Sequence, residues 1–475
     1  MNTGESSEMF YLIGGSYVSY TGQGSALVDV GSTYVYSRHD GAEYIFDKNI
    51  FGSSRAFLGT LVKAKYPTGY EVKYLYKANE LMSVINNRGL QIKFTYNSPP
   101  GPVGALWRLS KVTAINNSVE FCELLADVCA LGQNWPEAAL TFGSIPSMPE
   151  HEGSLSTITM VDSAGLSTRF TTDGYGQLVR VKERSSLFDN LVYSYCKYDY
   201  PYNCYILVAG LSPLSTVVSG LLVAATNAGR QWAYDFHSSP NTGNYFATAT
   251  SNGPLGSYQV LTRINGRPGP LLNVRDDKGN TAQFEESDRN FPISSSDSLG
   301  RYFNYSYDAR GNMIEKLQGA LSGSGLANIA QSAFYDASCT NIRICNKPIW
   351  VRDGLGNQTD YSYDPIHGGL LWVTSPPDAA GGVRPQRRNT YAQRFAWVKN
   401  TSGGYVRSTT PVWTISQSSY CRTGAPSISN IGCALGAADE VLTTYDYGPD
   451  AGPNGKRLSD APPKLVKRTD AGGVR

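Results

Sequence analysis

The sequence predicts an all-β protein whose antiparallel β-hairpins stack side by side into one long coiled sheet. The first observation is composition: 475 residues include 49 Gly, 25 Pro and 32 Tyr, which favour turns and strands over helix interiors. The second is a repeated unit in which a glycine precedes alternating apolar and aromatic positions. Because 41% of the residues are hydrophobic and only 17% are charged, the chain can bury a large core and is not expected to be disordered.

The repeated unit places apolar or aromatic residues at the third, fifth and seventh positions after a glycine. Five units carry aromatic residues at both the fifth and the seventh position, whereas a 12% aromatic content predicts fewer than one by chance. Weaker copies follow Gly41, Gly165 and Gly279, and adjacent units are about 20 residues apart. The five triplets are Val72-Tyr74-Tyr76, Ile92-Phe94-Tyr96, Trp232-Tyr234-Phe236, Phe303-Tyr305-Tyr307 and Thr359-Tyr361-Tyr363.

Alternation with a period of two places the aromatic residues of a unit on one face of a strand, while the glycine supplies the positive φ of a tight turn. We therefore expect the fifth-position residues of all units to share one face of the sheet: Tyr74, Phe94, Tyr234, Tyr305 and Tyr361.

Four aspartates stand three residues before a turn glycine, where a carboxylate can accept hydrogen bonds from backbone N–H groups. The pair Asp276-Asp277 also permits a calcium interpretation, but it lacks the alternating Asp/Asn ligands and the distal Glu of a calcium loop. We interpret these aspartates as turn residues: Asp162, Asp276, Asp297 and Asp353.

The eight cysteines form four close couples. No Cys-x-x-Cys knuckle is present, and none of the four histidines lies beside a cysteine couple, so a zinc site is disfavoured. Local disulfides fit the even count and would place the protein in an oxidising compartment, and eight buried thiols are the alternative. The couples are Cys122 with Cys129, Cys196 with Cys204, Cys339 with Cys345, and Cys421 with Cys433.

Every cysteine couple lies where the repeat is interrupted, at 110–160, 185–225, 320–345 and 398–440. We predict a leading segment of the array at 1–60 and an array at 61–320 that contains the first two insertions. Further repeats follow at 321–475, with cysteine-stapled insertions.

The charge balance and the absence of long apolar runs disfavour two classes of partner. A net charge of +2 offers no basic surface for nucleic acid. The uncharged stretch around residues 201–228 is interrupted by Gly, Pro, Ser and Thr and is interpreted as two buried strands rather than a membrane span. No signal peptide is visible after Met1.

With these repeats the sequence resembles the RHS family, also called YD-repeat proteins, in which a Tyr-Asp step is followed by a turn glycine and an apolar residue. The resemblance covers the chain from about residue 35 onward and is specific as an array. The matching stretches are YSYDARGNMIEKL (305–317), DGLGNQTDYSYDPIHGGLL (353–371), DSLGRYFNYSYD (297–308) and YPTGYEVKYLYKANELMSVINNRGLQIKFTY (66–96).

The resemblance implies a hollow β-shell, a cocoon-like solenoid of stacked hairpins, which in bacteria typically encloses a C-terminal toxin or effector domain of the same protein. It also implies an extracellular or cell-surface location. The family's plug and self-cleavage region and its toxin domain are missing here, and Asp364-Pro365 lies inside a repeat. We therefore expect a fragment truncated before that region.

No hydrolase signature occurs in the sequence. Gly455-Lys456 lacks the first glycine and the Ser or Thr of a phosphate loop, so it is interpreted as a turn. His39 and His367 are likewise interpreted as turn residues, because no nucleophile or second carboxylate stands at a recognisable spacing. We predict no catalytic, cofactor-binding or metal-binding residues, although two carboxylates from distant repeats leave a glycosidase open.

Three functions follow from these observations. The first is a non-catalytic shell segment of a secreted or surface protein, which encloses or presents another domain. The second is a binding module for cell-surface glycans, in which tryptophans stack on sugars, although core packing explains the same residues. A hydrolase is a distant third. The tryptophans concerned are Trp350, Trp372, Trp397 and Trp413.

Overall fold

A computed structural model shows an all-β chain whose described residues contain no helix long and apolar enough to cross a membrane. Of the described residues between 191 and 273, only the backbone is described. The structure describes residues 8–19, 24–50, 59–78, 80–97, 109–145, 155–173, 178–183, 191–195, 197–199, 203–205, 222–227, 230–238, 245–252, 258–264, 268–276, 278–287, 291–379, 381–422, 433–448, 465–470 and 473–474.

The strands are short, as expected for hairpins of about 20 residues. In the first half they are β1 (Phe10–Ile13), β2 (Ser16–Ser19), β3 (Ala26–Val30), β4 (Thr33–Ser37), β5 (Glu43–Asp47), β6 (Thr60–Lys65), β7 (Glu71–Lys77), β8 (Glu80–Asn86), β9 (Leu90–Tyr96), β10 (Leu109–Asn116), β11 (Glu137–Ile145), β12 (Leu155–Val161), β13 (Ser167–Thr172), β14 (Leu178–Glu183), β15 (Leu191–Tyr195), β16 (Lys197–Asp199), β17 (Asn203–Tyr205) and β18 (Leu222–Asn227).

The second half continues in the same way. Its strands are β19 (Arg230–Ser238), β20 (Tyr245–Asn252), β21 (Tyr258–Ile264), β22 (Pro268–Arg275), β23 (Thr281–Glu286), β24 (Pro292–Asp297), β25 (Tyr302–Tyr307), β26 (Met313–Gln318), β27 (Ile329–Phe334), β28 (Trp350–Arg352), β29 (Gln358–Tyr363), β30 (Leu370–Thr374), β31 (Gln386–Arg394), β32 (Trp397–Lys399), β33 (Tyr405–Arg407), β34 (Val412–Cys421), β35 (Glu440–Asp446), β36 (Leu465–Asp470) and β37 (Gly473–Val474).

One antiparallel sheet runs through the chain from β3 to β37, with each strand paired to the next. The small hairpins β16–β17 and β32–β33 are set aside from it, as is β1–β2. No described ladder joins β3 to β37, so the sheet is not closed. The predicted fold class is confirmed.

The strand registers confirm the shared aromatic face where side chains are described. Tyr74 pairs with Val84, which pairs with Ile92, two positions from Phe94. In the second half, successive registers from β25 to β29 carry Tyr305 to the face of Tyr361. Tyr234 lies in β19, where only the backbone is described. We call this side of the sheet the aromatic face.

Hairpin β1–β2 forms a second layer on the aromatic face of the first strands. Its Phe10 and Tyr17 rings lie 5.8 and 6.0 Å from the rings of Tyr36 and Tyr34. Burial of these rings removes apolar surface from water, which is the main stabilising contribution to such a core. The cluster around them contains Leu27, Tyr36, Ala42, Tyr44, Phe46 and Ala64.

The opposite face is covered at β8 and β9 by the first cysteine insertion and is unexpectedly polar. Lys93 is 2% exposed, and its ammonium donates a hydrogen bond of 3.3 Å to the Leu124 carbonyl. Ser83 donates to the same carbonyl at 2.6 Å. Burial lowers the pKa of Lys93 because desolvation disfavours the charged form. The insertion therefore lies over the sheet as a polar second layer.

Three of the four predicted disulfides are present. The Cα atoms are 5.6 Å apart in Cys122–Cys129, 4.8 Å in Cys339–Cys345 and 5.5 Å in Cys421–Cys433. Cys196 lies outside the described residues, so the couple of Cys196 with Cys204 stays a prediction.

Candidate functional site

The predicted aspartate turns form as expected. In each of them the Asp Oδ1 accepts hydrogen bonds from the backbone N–H groups two and four residues later, for example from Leu355 and Asn357 to Asp353, both at 2.9 Å. The turn glycine then adopts a positive φ, 83° at Gly356. The same pattern holds at Asp162, Asp276 and Asp297.

Asn86, Asp308 and Asn400 play the same role and were not among the predicted turn residues. Each stands three residues before a glycine, which is the same spacing as in the four predicted turns. Two of them are Asn, whose amide oxygen accepts these bonds as a carboxylate does, so Asn three residues before a glycine is an equally good signal of this turn.

The turns meet along a line of contact between distant parts of the chain, which we call the seam. On one side lie the turns at 38–41, 66–69 and 86–89 and the start of the insertion at 117–120. On the other side lie the turn at 308–311, the loop at 339–347, the turn at 364–369 and the loop at 395–411.

Hydrogen bonds join the two sides of the seam. The Trp413 N–H donates to the Thr68 carbonyl at 2.8 Å, and the Lys399 N–H donates to the Asn117 carbonyl at 2.7 Å. The Asn87 amide donates to the Thr410 hydroxyl at 3.2 Å, across 323 positions of sequence. These are main-chain and short side-chain groups, so they fix the two rows of turns at close range.

Glycine is required where the backbones approach most closely. Gly69 has a φ of +83°, and a Cβ placed there would lie 2.3 Å from the Pro411 carbonyl oxygen. Only a residue without a side chain fits at this contact.

The seam obeys a simple alternation. On its first side every turn follows an even-numbered strand, from β4 to β10; on its second side every connection follows an odd-numbered strand, from β25 to β31. In an antiparallel sheet, alternate turns lie at opposite rims. One rim of the early strands therefore meets the opposite rim of the late strands, as in a wall that has coiled once.

The loop at 339–347 bonds both to the first side of the seam and to its neighbours on the second side. Its Asn346 amide donates to the His39 carbonyl at 2.7 Å and accepts from the Asn312 amide at 3.0 Å. Its Arg343 donates to the Ile366 carbonyl at 2.8 Å. Its Lys347 ammonium donates to the Gly368 carbonyl. The loop thus ties the turn at 38–41 to those at 308–311 and 364–369.

His367 is buried in the seam, with 2% of its surface exposed. Its ring centroid lies 4.5 Å from that of Tyr391 and 4.6 Å from that of Trp413. Nδ1 accepts a 3.1 Å hydrogen bond from the Gly369 N–H, and Nε2 lies 3.4 Å from an Asp364 carboxylate oxygen. Both nitrogens are engaged.

The surroundings of His367 set its protonation. Burial lowers the pKa of His367, although the Asp364 carboxylate acts in the opposite direction. The ring holds the turn at 364–369 against Trp413 and carries no lone pair directed at open solvent. The interpretation of His367 as a turn residue agrees with this geometry, while His39 is exposed at its turn and contributes its carbonyl to the seam.

A cavity of about 520 Å³ opens at the seam. Its lining includes Tyr66, Tyr70, Arg88, Lys347 and Asp40. The Arg88 guanidinium carbon lies 5.1 Å from the Tyr70 ring centroid, and no described carboxylate forms an ion pair with Arg88. Burial alone would raise the pKa of Asp40, but the hydrogen bonds from Arg38 and the Ala42 N–H lower it overall.

The tryptophans predicted as sugar-stacking residues do not form one cluster. Trp350 stacks on Phe334 at 5.7 Å, and Trp413 packs on His367 at the seam. Trp397 offers its carbonyl to the Ser118 hydroxyl. Trp372 lies half-buried in β30. These contacts match packing in the sheet and the seam.

One cluster of potential metal ligands occurs among the described residues: Cys421, Cys433 and Asp439. The two sulfurs are joined in a disulfide and offer no thiolate to a metal. Arg388 lies beside this disulfide, with one guanidinium nitrogen 3.4 Å from the Cys421 sulfur and 3.4 Å from a Glu440 oxygen. Asp277 and the Gly455-Lys456 turn lie outside the described residues.

Comparisons with known proteins give structural matches alone. No protein-family profile matches the chain, and no curated protein sequence does. Among solved structures, the chain is similar to a crystal structure of TcdB2-TccC3-Cdc42, with 11% identity and a TM-score of 0.30 over 93% of this chain and 24% of that one.

Two further solved structures match at similar or lower levels. The Photorhabdus luminescens Tc holotoxin pore, with the TccC3 mutation D651A, gives 11% identity and a TM-score of 0.29 over 94% of this chain and 24% of that one. A porin-like protein from Bacteroides uniformis gives 8% identity and a TM-score of 0.11 over 82% of this chain and 95% of that one. The chain spans about a quarter of the length of the Tc structures.

Proposed function

We propose that this chain is a non-catalytic wall segment of an RHS-type shell, whose role is to enclose or present another domain of a secreted or surface protein. The observation that carries the proposal is the seam. Turns from strands β4 to β10 hydrogen-bond to connections that follow strands β25 to β31, so one rim of the early strands meets the opposite rim of the late strands about 300 residues further along the chain.

A coiled wall that carries a second layer only in places, such as β1–β2 and the first cysteine insertion, explains the exposed surface of the described residues. Large apolar side chains remain exposed on the sheet, for example Ile92 at 43% and Val28 at 52%. A wall of this kind has two large faces available for another polypeptide, and we propose that an effector domain occupies one of them.

Protease protection tests this proposal. The natural gene product, including any sequence encoded beyond residue 475, is treated with trypsin beside the downstream polypeptide expressed alone. A shell that encloses the downstream polypeptide protects it, and a Gly69→Trp change, which opens the seam, removes that protection. Equal cleavage rates with and without the intact wall would contradict enclosure.

Binding of an acidic sugar is a second candidate, favoured by the cavity at the seam rather than by the tryptophans. Arg88 offers a guanidinium without a described carboxylate partner, next to the rings of Tyr66 and Tyr70. Aromatic rings and a cation are the groups that recognise a sugar carboxylate. Calorimetric titration tests this candidate. The unaltered chain and the Arg88→Ala variant are each titrated with glucuronate, and with glucose as the neutral control. Equal binding of both sugars would refute this candidate.

A further inference from the structure

The disulfide Cys339–Cys345 closes the loop that bridges the two sides of the seam. The loop belongs to the 15-residue connection between β27 and β28, whereas the aspartate turns connect strands through four or five residues. Four of its residues bond to other parts of the chain from between the cysteines or just beyond them: Asn341, Arg343, Asn346 and Lys347.

Contacts of the loop with the rest of the molecule are made mainly through its ends and side chains, not through a β-ladder. Inside the loop, the Cys345 N–H donates to the Asn341 carbonyl at 2.9 Å, and the Lys347 N–H donates to the Ile344 carbonyl at 2.9 Å. These two bonds make single turns of chain. A short turn of this kind is marginal when it is not held by a covalent link or by packing.

The two sulfurs differ in exposure. Cys345 is fully buried, with 0% of its surface exposed, and Cys339 is half-buried. A thiolate from solution therefore reaches the Cys339 sulfur first. The Cys345 sulfur is then the leaving group and takes up a proton as a thiol.

We propose that Cys339–Cys345 is a redox latch for the seam: reduction of this disulfide by a low-molecular-weight thiol releases the loop and opens the contact between the two rims. The first thiol forms a mixed disulfide with Cys339, and a second thiol displaces it. The balance is one protein disulfide and two thiols giving two cysteine thiols and one small-molecule disulfide. The inference rests on the proposed shell function for its biological sense.

The latch transmits its effect through a short chain of contacts. The loop holds the turn at 364–369 through hydrogen bonds from Asn341, Arg343 and Lys347. That turn carries His367, which packs on Trp413, whose N–H is bonded to Thr68 across the seam. Release of the loop breaks the hydrogen bond from Asn346 to the His39 carbonyl directly. It weakens the bond from Trp413 to Thr68 indirectly, because the turn at 364–369 is no longer held in place.

The latch gives the shell a response to its surroundings. Disulfides persist in secreted proteins and are reduced where cytosolic thiols are abundant. The wall is therefore sealed outside the cell and unsealed in a reducing compartment, without proteolysis.

Hydrogen exchange measured by mass spectrometry on the 475-residue chain tests the latch. The reporters are the backbone amides of Trp413 and Lys399, which donate across the seam. In the Cys339→Ser/Cys345→Ser variant we expect exchange at Trp413 to be at least about tenfold faster than in the unaltered oxidised chain. Millimolar glutathione should accelerate exchange at Trp413 in the unaltered chain to the same extent. It should cause no further acceleration in the variant.

A matched control uses the disulfide Cys421–Cys433. It lies beside Arg388 and Glu440, away from the seam, so the Cys421→Ser/Cys433→Ser variant should leave exchange at Trp413 unchanged. Slow exchange at Trp413 in the Cys339→Ser/Cys345→Ser variant, or equal acceleration in the control, would overturn the latch. This experiment measures the opening of the seam and not the enclosure of another domain. Its result therefore stands whether or not the protease-protection test supports the proposed function.

Discussion

The side-chain amide of Asn346 donates a 2.7 Å hydrogen bond to the main-chain carbonyl of His39, 307 positions earlier in the chain. The same side chain accepts a 3.0 Å hydrogen bond from Asn312. One short side chain therefore joins a turn of the first strands to a turn of the late strands.

We predict that Asn346→Ala lowers the free energy of unfolding by about 1–3 kcal/mol. The variant loses two hydrogen bonds, and the His39 carbonyl and the Asn312 amide each lose the bond to Asn346. Asn357→Ala is the control, since Asn357 bonds only within its own turn to Asp353 and lies away from the seam. Urea denaturation measures both. A cost for Asn346→Ala no greater than that for Asn357→Ala would show that the seam adds little stability.

The glycine at the closest contact of the seam provides a second prediction. Gly356→Ala places a Cβ in open space and costs only the strain of a positive φ, about 1–2 kcal/mol. Gly69→Ala imposes the same strain, and in addition its Cβ would lie 2.3 Å from the Pro411 oxygen, so the rims must separate. We expect the larger loss of melting temperature for Gly69→Ala, and similar losses for both would contradict the seam.

The aspartate turns predict loss of stability in acid. Hydrogen bonds from Asn280, Arg301 and Asn357 are the main cause that lowers the pKa of Asp276, Asp297 and Asp353, respectively, below the usual value of 3.8. Their stabilisation is therefore complete above pH 3.8 and is lost as pH falls through the lower folded pKa.

Asparagine occupies the same turn position naturally at Asn86 and Asn400. The triple variant Asp276→Asn/Asp297→Asn/Asp353→Asn should keep its turns and show a weaker fall in melting temperature in the acid range. Thermal unfolding at a series of pH values below neutrality measures this. An unchanged acid slope would mean that these carboxylates do not contribute.

His367 predicts a pH dependence nearer neutrality. Burial lowers its pKa, so the unfolded chain takes up a proton at higher pH than the folded chain does. The stability that the neutral ring contributes is present above the usual value of 6.5 and is lost as pH falls through the folded pKa. Urea denaturation of His367→Gln should show a flatter profile than that of the unaltered chain below pH 6.5. His39→Gln, at an exposed turn, is the control for the loss of a histidine. If the His39→Gln profile became flatter and the His367→Gln profile did not, His367 would not be the source of the pH dependence.

The local structure was largely predictable from the sequence. Alternating aromatic positions, Asp or Asn three residues before a glycine, and closely spaced cysteines act over fewer than about 20 residues, so their chemistry is visible in a single repeat. Trp397 and Trp413 show the limit. Their spacing gives no sign that one offers a carbonyl to Ser118 and the other an N–H to Thr68.

The seam was not predictable because it depends on the accumulated twist of the whole sheet. Each pair of strands adds a small rotation, and small differences in it decide which turns meet after many strands. Register shifts recur at the seventh-position residues Tyr76, Tyr96, Tyr307 and Tyr363, and such bulges increase the local bend. Equally, nothing local to Lys93 shows that an insertion will bury it.

The alternation of turns along the seam restricts how such a chain can change its length in evolution. Gain or loss of a whole hairpin leaves every later turn at its own rim and alters only the circumference. Gain or loss of a single strand would move all later turns to the wrong rim and exchange the surfaces that must meet. Duplication and deletion are therefore tolerated in units of two strands. Descendants of this chain are expected to differ from it in length by whole hairpins.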